Sequence, residues 1–267
     1  MFIHMRWMAA GLWTLLALTT AGCASWPQSD RHSEVPQHLP LTFNAKDKMD
    51  WEPVTFPGKL RTAFSKQQHE GRESVQAESK GSASMLRQRM RISPDQLGRL
   101  SFEWQAENLL DGADLTAQGR DDSPARLVLA FDGDRQKFSA RNAMLSELSR
   151  ALTGEDMPYA TLMYVWSNDK PVGTIIVHPR TDRIRKIVVE SGPQRLRQWL
   201  RYERDVRADF EKVFGEEPGA LQAVAIMTDS DNTQSLTRAW YGQIRLEPGK
   251  LLNPSPGVQK QAPTASD

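Results

Sequence analysis

The sequence predicts a mainly β protein, an antiparallel β-sandwich of jelly-roll-like topology with two amphipathic helices, and three observations carry that prediction. The first is a period of two: Leu100, Phe102, Trp104 and Ala106 alternate with Ser101, Glu103, Gln105 and Glu107, which puts one face of a strand on a core and the other in water. The second is a set of segments apolar on both faces, residues 127–131, 159–166 and 221–227, which read as central strands covered on each side. The third is the scarcity of helical periods. Only two occur, without the regular strand–helix alternation that a parallel α/β sheet requires.

The remaining elements follow from local chemistry. In residues 236–246, Leu236, Trp240, Ile244 and Leu246 share one face, and Arg238 on that face marks an edge. Residues 173–178 and 184–191 form a hairpin turned by Pro179, Arg180, Thr181 and Asp182. Residues 74–79 and 84–92 add strands, and Arg87, Arg89 and Arg91 line a solvated face at the strand period. One helix covers residues 142–152 with Leu145, Leu148 and Leu152 as its core stripe. A longer one covers residues 196–214, with Leu196, Trp199, Leu200, Val206, Phe210 and Val213 at helical spacing and Gly215 as its C-terminal cap.

The ends of the chain are of a different kind. The amino terminus and Arg6 precede an apolar run over residues 8–21, the length of a signal-peptide core and short of the roughly 20 residues of a spanning helix. Cys23 is the single cysteine of 267 residues, so no intramolecular disulfide forms. Leu18-Thr19-Thr20-Ala21-Gly22-Cys23 resembles the lipobox of bacterial lipoproteins, with Thr20 where Leu is usual. That resemblance implies a leader at residues 1–22 and a lipidated Cys23. The alternative is an ordinary signal peptide cut nearby, which would leave a free thiol in an oxidising compartment. The absence of Asp after the cysteine resembles an outer-membrane destination, here with the domain facing the periplasm. Residues 23–50 and 248–267 are polar, contain Pro27, Pro36, Pro40, Pro254, Pro256 and Pro263, and read as a disordered tether and tail around a domain at residues 51–247.

Charge and motifs exclude several function classes. Removing Arg6 with the leader leaves 33 basic residues against 33 acidic ones, which argues against nucleic acid as a partner. Neither a G-x-S-x-G elbow, nor a zinc-type Cys/His set, nor a phosphate-binding glycine loop occurs, so no cofactor, metal or catalytic residue is expected. Asp229, Asp231 and Asn232 follow a buried strand, where they either stabilise a turn or bind a sugar or hard cation. Asp121 and Asp122 precede another strand. As adjacent residues they point to opposite faces, and Asp122 is expected to pair with Arg126. Trp51 and Tyr241 lie off the main core stripes and are candidates for a ring that stacks on a sugar.

Several stretches resemble the uncharacterised bacterial family called domain of unknown function 3047. They are Gly112-Ala113-Asp114, the run from Asp121 to Arg126, Tyr164-Val165-Trp166, Val189-Glu190-Ser191-Gly192, the run from Met227 to Thr233, and Trp240-Tyr241-Gly242-Gln243-Ile244, where Gln243 replaces an expected Asp. The resemblance covers residues 51–246 and implies no activity. The expectation is a lipid-anchored envelope module that binds a glycan or another envelope component at Asp121, Asp122, Arg126, Asp229, Asp231 and Asn232. The alternative is a carboxylate-dependent hydrolase of envelope polysaccharide.

Overall fold

A strand that is apolar on both faces has to lie between other strands, and in the computed structural model of the chain such segments become the middle of a seven-stranded sheet. The structure describes residues 51–247, and the expected leader, lipidated tether and tail lie outside the described residues. With strands numbered in chain order, the first sheet runs β1 (Glu52–Thr55), β4 (Ser84–Ile92), β11 (Leu221–Asp229), β6 (Ser123–Phe131), β7 (Ala160–Ser167), β9 (Ile184–Ser191), β8 (Ile175–Val177). The second has five strands: β10 (Leu200–Asp205), β5 (Arg99–Ala106), β12 (Leu236–Leu246), β3 (Arg72–Lys80), β2 (Ala63–His69). The chain steps between the layers from β3 through β6 and again from β11 to β12, the jelly-roll-like habit that the fold class predicts.

Between the sheets lies an aromatic core. Phe102 of the second sheet stacks on Tyr164 of the first with ring centres 5.6 Å apart, and Trp104 meets Tyr241 edge-on at 6.5 Å. Leu127, Leu129 and Phe131 of β6 and Leu162 and Trp166 of β7 fill the same layer. Among the described residues no helix is long and apolar enough to cross a membrane.

Five expectations are corrected. The first sheet is mixed, because β9 pairs parallel to β7, from Thr161 opposite Ile184 to Ser167 opposite Ser191. The expected hairpin exists, but its first arm is short and takes the sheet edge as β8, which leaves the inner position to the longer and more deeply buried β9. The expected long helix is two elements. Leu200, which also fits a helical stripe, alternates with Tyr202 toward the core, and residues 200–205 pair with β5 as an edge strand. The helix α2 then covers only Val206–Phe214. Asp205 accepts the Ala208 N–H at 2.9 Å to start it, and Gly215 at φ 72° ends it as expected.

The other helix, α1 (Ala140–Thr153), turns its expected core stripe outward. Asn142 and Ser146 face the domain and Leu145 is half-buried, whereas Leu148 and Leu152 are exposed. Polar groups beneath the helix need partners more than the core needs leucines there. Asn142 Nδ2 donates to Asp182 at 2.6 Å, Thr181 donates to Asn142 Oδ1 at 2.7 Å, and Arg135 donates to Ser146 at 2.8 Å.

The fifth correction concerns β12, where a bulge between Tyr241 and Ile244 puts Tyr241 in the core. Trp240 moves to the outer face, stacked on His69 at 3.9 Å, while Trp51 packs half-buried against the core. The Tyr241 hydroxyl crosses from the second sheet to the first. It donates to the Met227 carbonyl at 2.6 Å, accepts the Arg126 N–H at 3.2 Å, and lies 2.8 Å from Thr228 Oγ1. Tyr241→Phe leaves those buried groups short of partners, so it should lower unfolding stability by about 1–3 kcal/mol, read from the urea midpoint. An unchanged midpoint would show that the hydroxyl does not tie the sheets together.

Candidate functional site

The outer face of the first sheet carries Met85 from β4, Ala225 and Met227 from β11, Val128 from β6 and Met163 from β7, which form a small apolar cluster with Ala83 and Phe56. This cluster is the floor of an open groove of about 1290 Å³ that runs across the strands. One end is rimmed by Arg87, Arg89, Arg135, Glu155 and Asp156, the other by Lys59, Asp121, His178, Arg180, Asp231 and Asn232. Arg87 and Arg89 do lie on one strand face, as expected, and both reach Glu52 and Glu155. These arginines hold the Glu155 carboxyl down to about 2, against a partial opposing effect of burial.

At the second end the groove floor turns polar and buried. Arg126, on β6, is 3% exposed and pairs with Asp229 on the neighbouring β11 at 2.9 Å. A further N–H of the guanidinium donates to the Asp121 carbonyl, while Nε has no partner among the described residues. Asp229 also accepts the Ser123 N–H at 3.1 Å. Burial pushes the Asp229 carboxyl up to about 7; Arg126 opposes that rise, and Asp122 and Asp121 add to it.

Lys186 projects from β9 toward the same cluster, is 0% exposed, and donates to Asp121 Oδ2 at 3.0 Å and to the Leu115 carbonyl at 3.3 Å. Burial and the nearby Arg126 lower its ammonium, against the support of Asp121. Burial disfavours the charged form of Asp121, but Arg126 and Lys186 prevail and hold it below the usual carboxylate range. His178, directly after β8, sits 3.9 Å from Asp121 Oδ2, and burial with the Lys186 charge lowers it to about 4.

Asp122 has a different job from the one expected. It does not pair with Arg126; it accepts the Asn232 N–H at 3.1 Å, the Asn232 side chain at 2.7 Å and the Thr233 N–H at 2.7 Å. A single carboxylate therefore clamps the turn after β11 with three donors, while Arg126 is engaged by Asp229. Asp231 reaches outward to Lys59. Asp122, Asp229 and Asp231 each bring one carboxylate oxygen within 4.8 Å of the others, a spacing compatible with a hard cation. The protein's own Arg126, Lys59 and backbone donors already engage these oxygens.

The family described as "Protein of unknown function (DUF3047)" matches residues 49–245 of the chain. The chain belongs to this family. No curated protein matches it in sequence. Among solved structures, it is similar to the xyloglucanase domain of NopAA, a type three effector from Sinorhizobium fredii, in complex with cellobiose. That likeness covers 74% of this chain and 93% of that chain, at 8% identity and a TM-score of 0.41.

In this DUF3047 chain, Asp121, Arg126, Asp229, Asp231 and Asn232 all line the groove, and Asp122 lies beside them as the clamp of the turn. Lys186, Lys59 and Arg180 had not been expected there. For Lys186 the signal was present: it shares a strand face with Val188 in an otherwise apolar run, where a charge calls for a partner. Tyr241, expected as a ring for stacking, supports the site from below through the Arg126 N–H.

Two titrations give opposite pH slopes. The folded state keeps a proton on Asp229 up to about pH 7, whereas an unfolded Asp loses it near 4, so this group makes stability fall as pH rises between about 4 and 7. His178 stays neutral in the folded state down to about pH 4, whereas an unfolded His protonates below about 6.5. It therefore makes stability rise with pH between about 4 and 6.5. In Asp229→Asn the net slope should turn upward over that window, and in His178→Gln it should turn downward. Urea unfolding at pH 4.5, 5.5 and 7 reads both, and equal slopes in the two variants would refute the assignment.

Proposed function

We infer that the domain is a binding module for an extended glycan, held in the groove across the outer face of the seven-stranded sheet. One observation carries this reading: the groove joins an apolar floor of Met85, Val128, Met163 and Met227 to rims where cations and carboxylates alternate. A sugar chain offers apolar ring faces to such a floor and hydroxyl edges to such rims. Neither sign of charge dominates, in keeping with the balanced charge of the whole chain, so a polyphosphate ligand is disfavoured.

A second reading has its own support. Asp229 holds its proton near neutral pH at the groove floor, as the general acid of a polysaccharide hydrolase must. Both of its oxygens are already engaged, by Ser123 and Arg126, and Asp122 is occupied in clamping the turn, which favours binding over catalysis.

A thermal-shift screen of the full chain against envelope glycans tests the first reading. A ligand at 100 times its Kd should stabilise the protein by about 2.7 kcal/mol, a shift of about 5–10 °C for a domain of this size. Met163→Arg, which fills the floor, should abolish the shift. A glycan that stabilises both proteins equally binds elsewhere and defeats the proposal. Release of reducing ends by the wild type, absent in Asp229→Asn, would establish the hydrolase instead.

We also propose that Cys23 anchors this module to the bacterial outer membrane, facing the periplasm. The lipobox-like residues before it and the absence of any other cysteine support that address. Cells fed a labelled fatty acid should incorporate it into the wild-type chain and not into Cys23→Ala. Label retained by the variant would overturn the assignment.

A further inference from the structure

The helix α1 is amphipathic in reverse. Its inward arc is polar, with Asn142 and Ser146 buried against the domain, while Met144, Leu148 and Leu152, spaced four residues apart, stand 59%, 51% and 60% exposed. Three large apolar side chains in a row on one solvent-facing arc cost hydration unless something covers them. Successive residues advance by about 100° around a helix, so Arg141 falls on the same arc, exposed and without an ion-pair partner among the described residues.

We propose that α1 is a docking surface for a lipid bilayer, lying in the plane of the headgroups with Met144, Leu148 and Leu152 in the acyl boundary. The arginine decides between a lipid surface and a second copy of the chain. Two copies packed through this arc would either bring their Arg141 side chains together, when parallel, or press each Arg141 against the other copy's Leu152, when antiparallel, and both arrangements carry unpaired charge into an apolar contact. A bilayer accepts the same side chain, because its stem lies along the acyl boundary while the guanidinium reaches the phosphates. The sequence upstream agrees: the apolar run at residues 8–21 and the lipobox-like Cys23 precede the domain, so a bilayer is the surface that this chain is expected to meet. Leu152 also lines the groove, so docking brings that end of the groove to the membrane surface.

Hydrogen exchange on the full chain, with and without vesicles of phosphatidylethanolamine and phosphatidylglycerol, tests this. Amides of α1 should exchange at least about fivefold more slowly on vesicles, while those of the β2–β3 hairpin stay unchanged. The variant Met144→Ser/Leu148→Ser/Leu152→Ser alters only exposed positions and should lose that slowing even where its own N-terminal anchor holds it on the vesicles. Arg141→Glu, a single surface change, should weaken the slowing on anionic vesicles and provides the test if the triple variant fails to fold. Wild-type α1 that exchanges equally with and without lipid overturns the proposal, as does equal slowing in wild type and variants. Slowing that grows with protein concentration in the absence of vesicles also overturns it, and assigns the arc to self-association.

Discussion

A buried guanidinium has to find its acceptors within the fold, and the pairing of Arg126 with Asp229 on adjacent strands is the constraint around which this molecule is arranged. Both residues are almost wholly buried, so the strands that carry them cannot slip past one another without stranding both. The Arg126 backbone N–H is fixed from the opposite sheet by Tyr241, its guanidinium holds the approach to β6 at Asp121, and Asp229 accepts from the first residue of β6. Asp122 then fastens the turn after β11. The polar end of the groove is thus an extension of the pairing that registers the sheet's central strands.

The same arrangement explains which parts of the fold were legible in the sequence. Strands with strong patterns were readable because their two faces meet different solvents: Leu100 to Ala106 alternates, and Leu127 to Phe131 is apolar throughout. β1, β2 and β10 escaped notice because they sit at sheet edges, where Ala-Phe-Ser-Lys-Gln-Gln-His makes no apolar period and Leu200 to Asp205 satisfies two periods at once. The bulge in β12 was invisible for another reason. One added residue exchanges the faces of Trp240 and Tyr241 without changing the composition of the strand.

For the site, the acids were legible as a group and their partners were not. Asp and Asn clustered beside a buried strand mark a place where backbone and side chain compete for hydrogen bonds, and that is where the groove ends. The choice of Asn232 and Thr233, and not Arg126, as partners of Asp122 depends on how the turn after β11 folds back over β6. Lys186 and Lys59 come from segments far away in sequence, and only the stacking order of the strands brings them in. Helix α1 was found by its period and misjudged in its direction, since periodicity gives an apolar stripe but not what lies opposite it.

The order of strands has one more consequence, for how the chain reaches this state. β11 lies between β4 and β6, and β12 lies between β5 and β3, so the last two strands in sequence occupy interior places in both sheets. A chain that emerges from its N-terminus first presents β3 through β6 with no partner for the edges that will later meet β11 and β12. Neither layer can close, and the aromatic core cannot be sealed, until residues 221–246 have arrived. Completion therefore waits for the arrival of residues 221–246. Until then the chain remains an open, non-local assembly with unpaired strand edges, a state in which a chaperone can bind it.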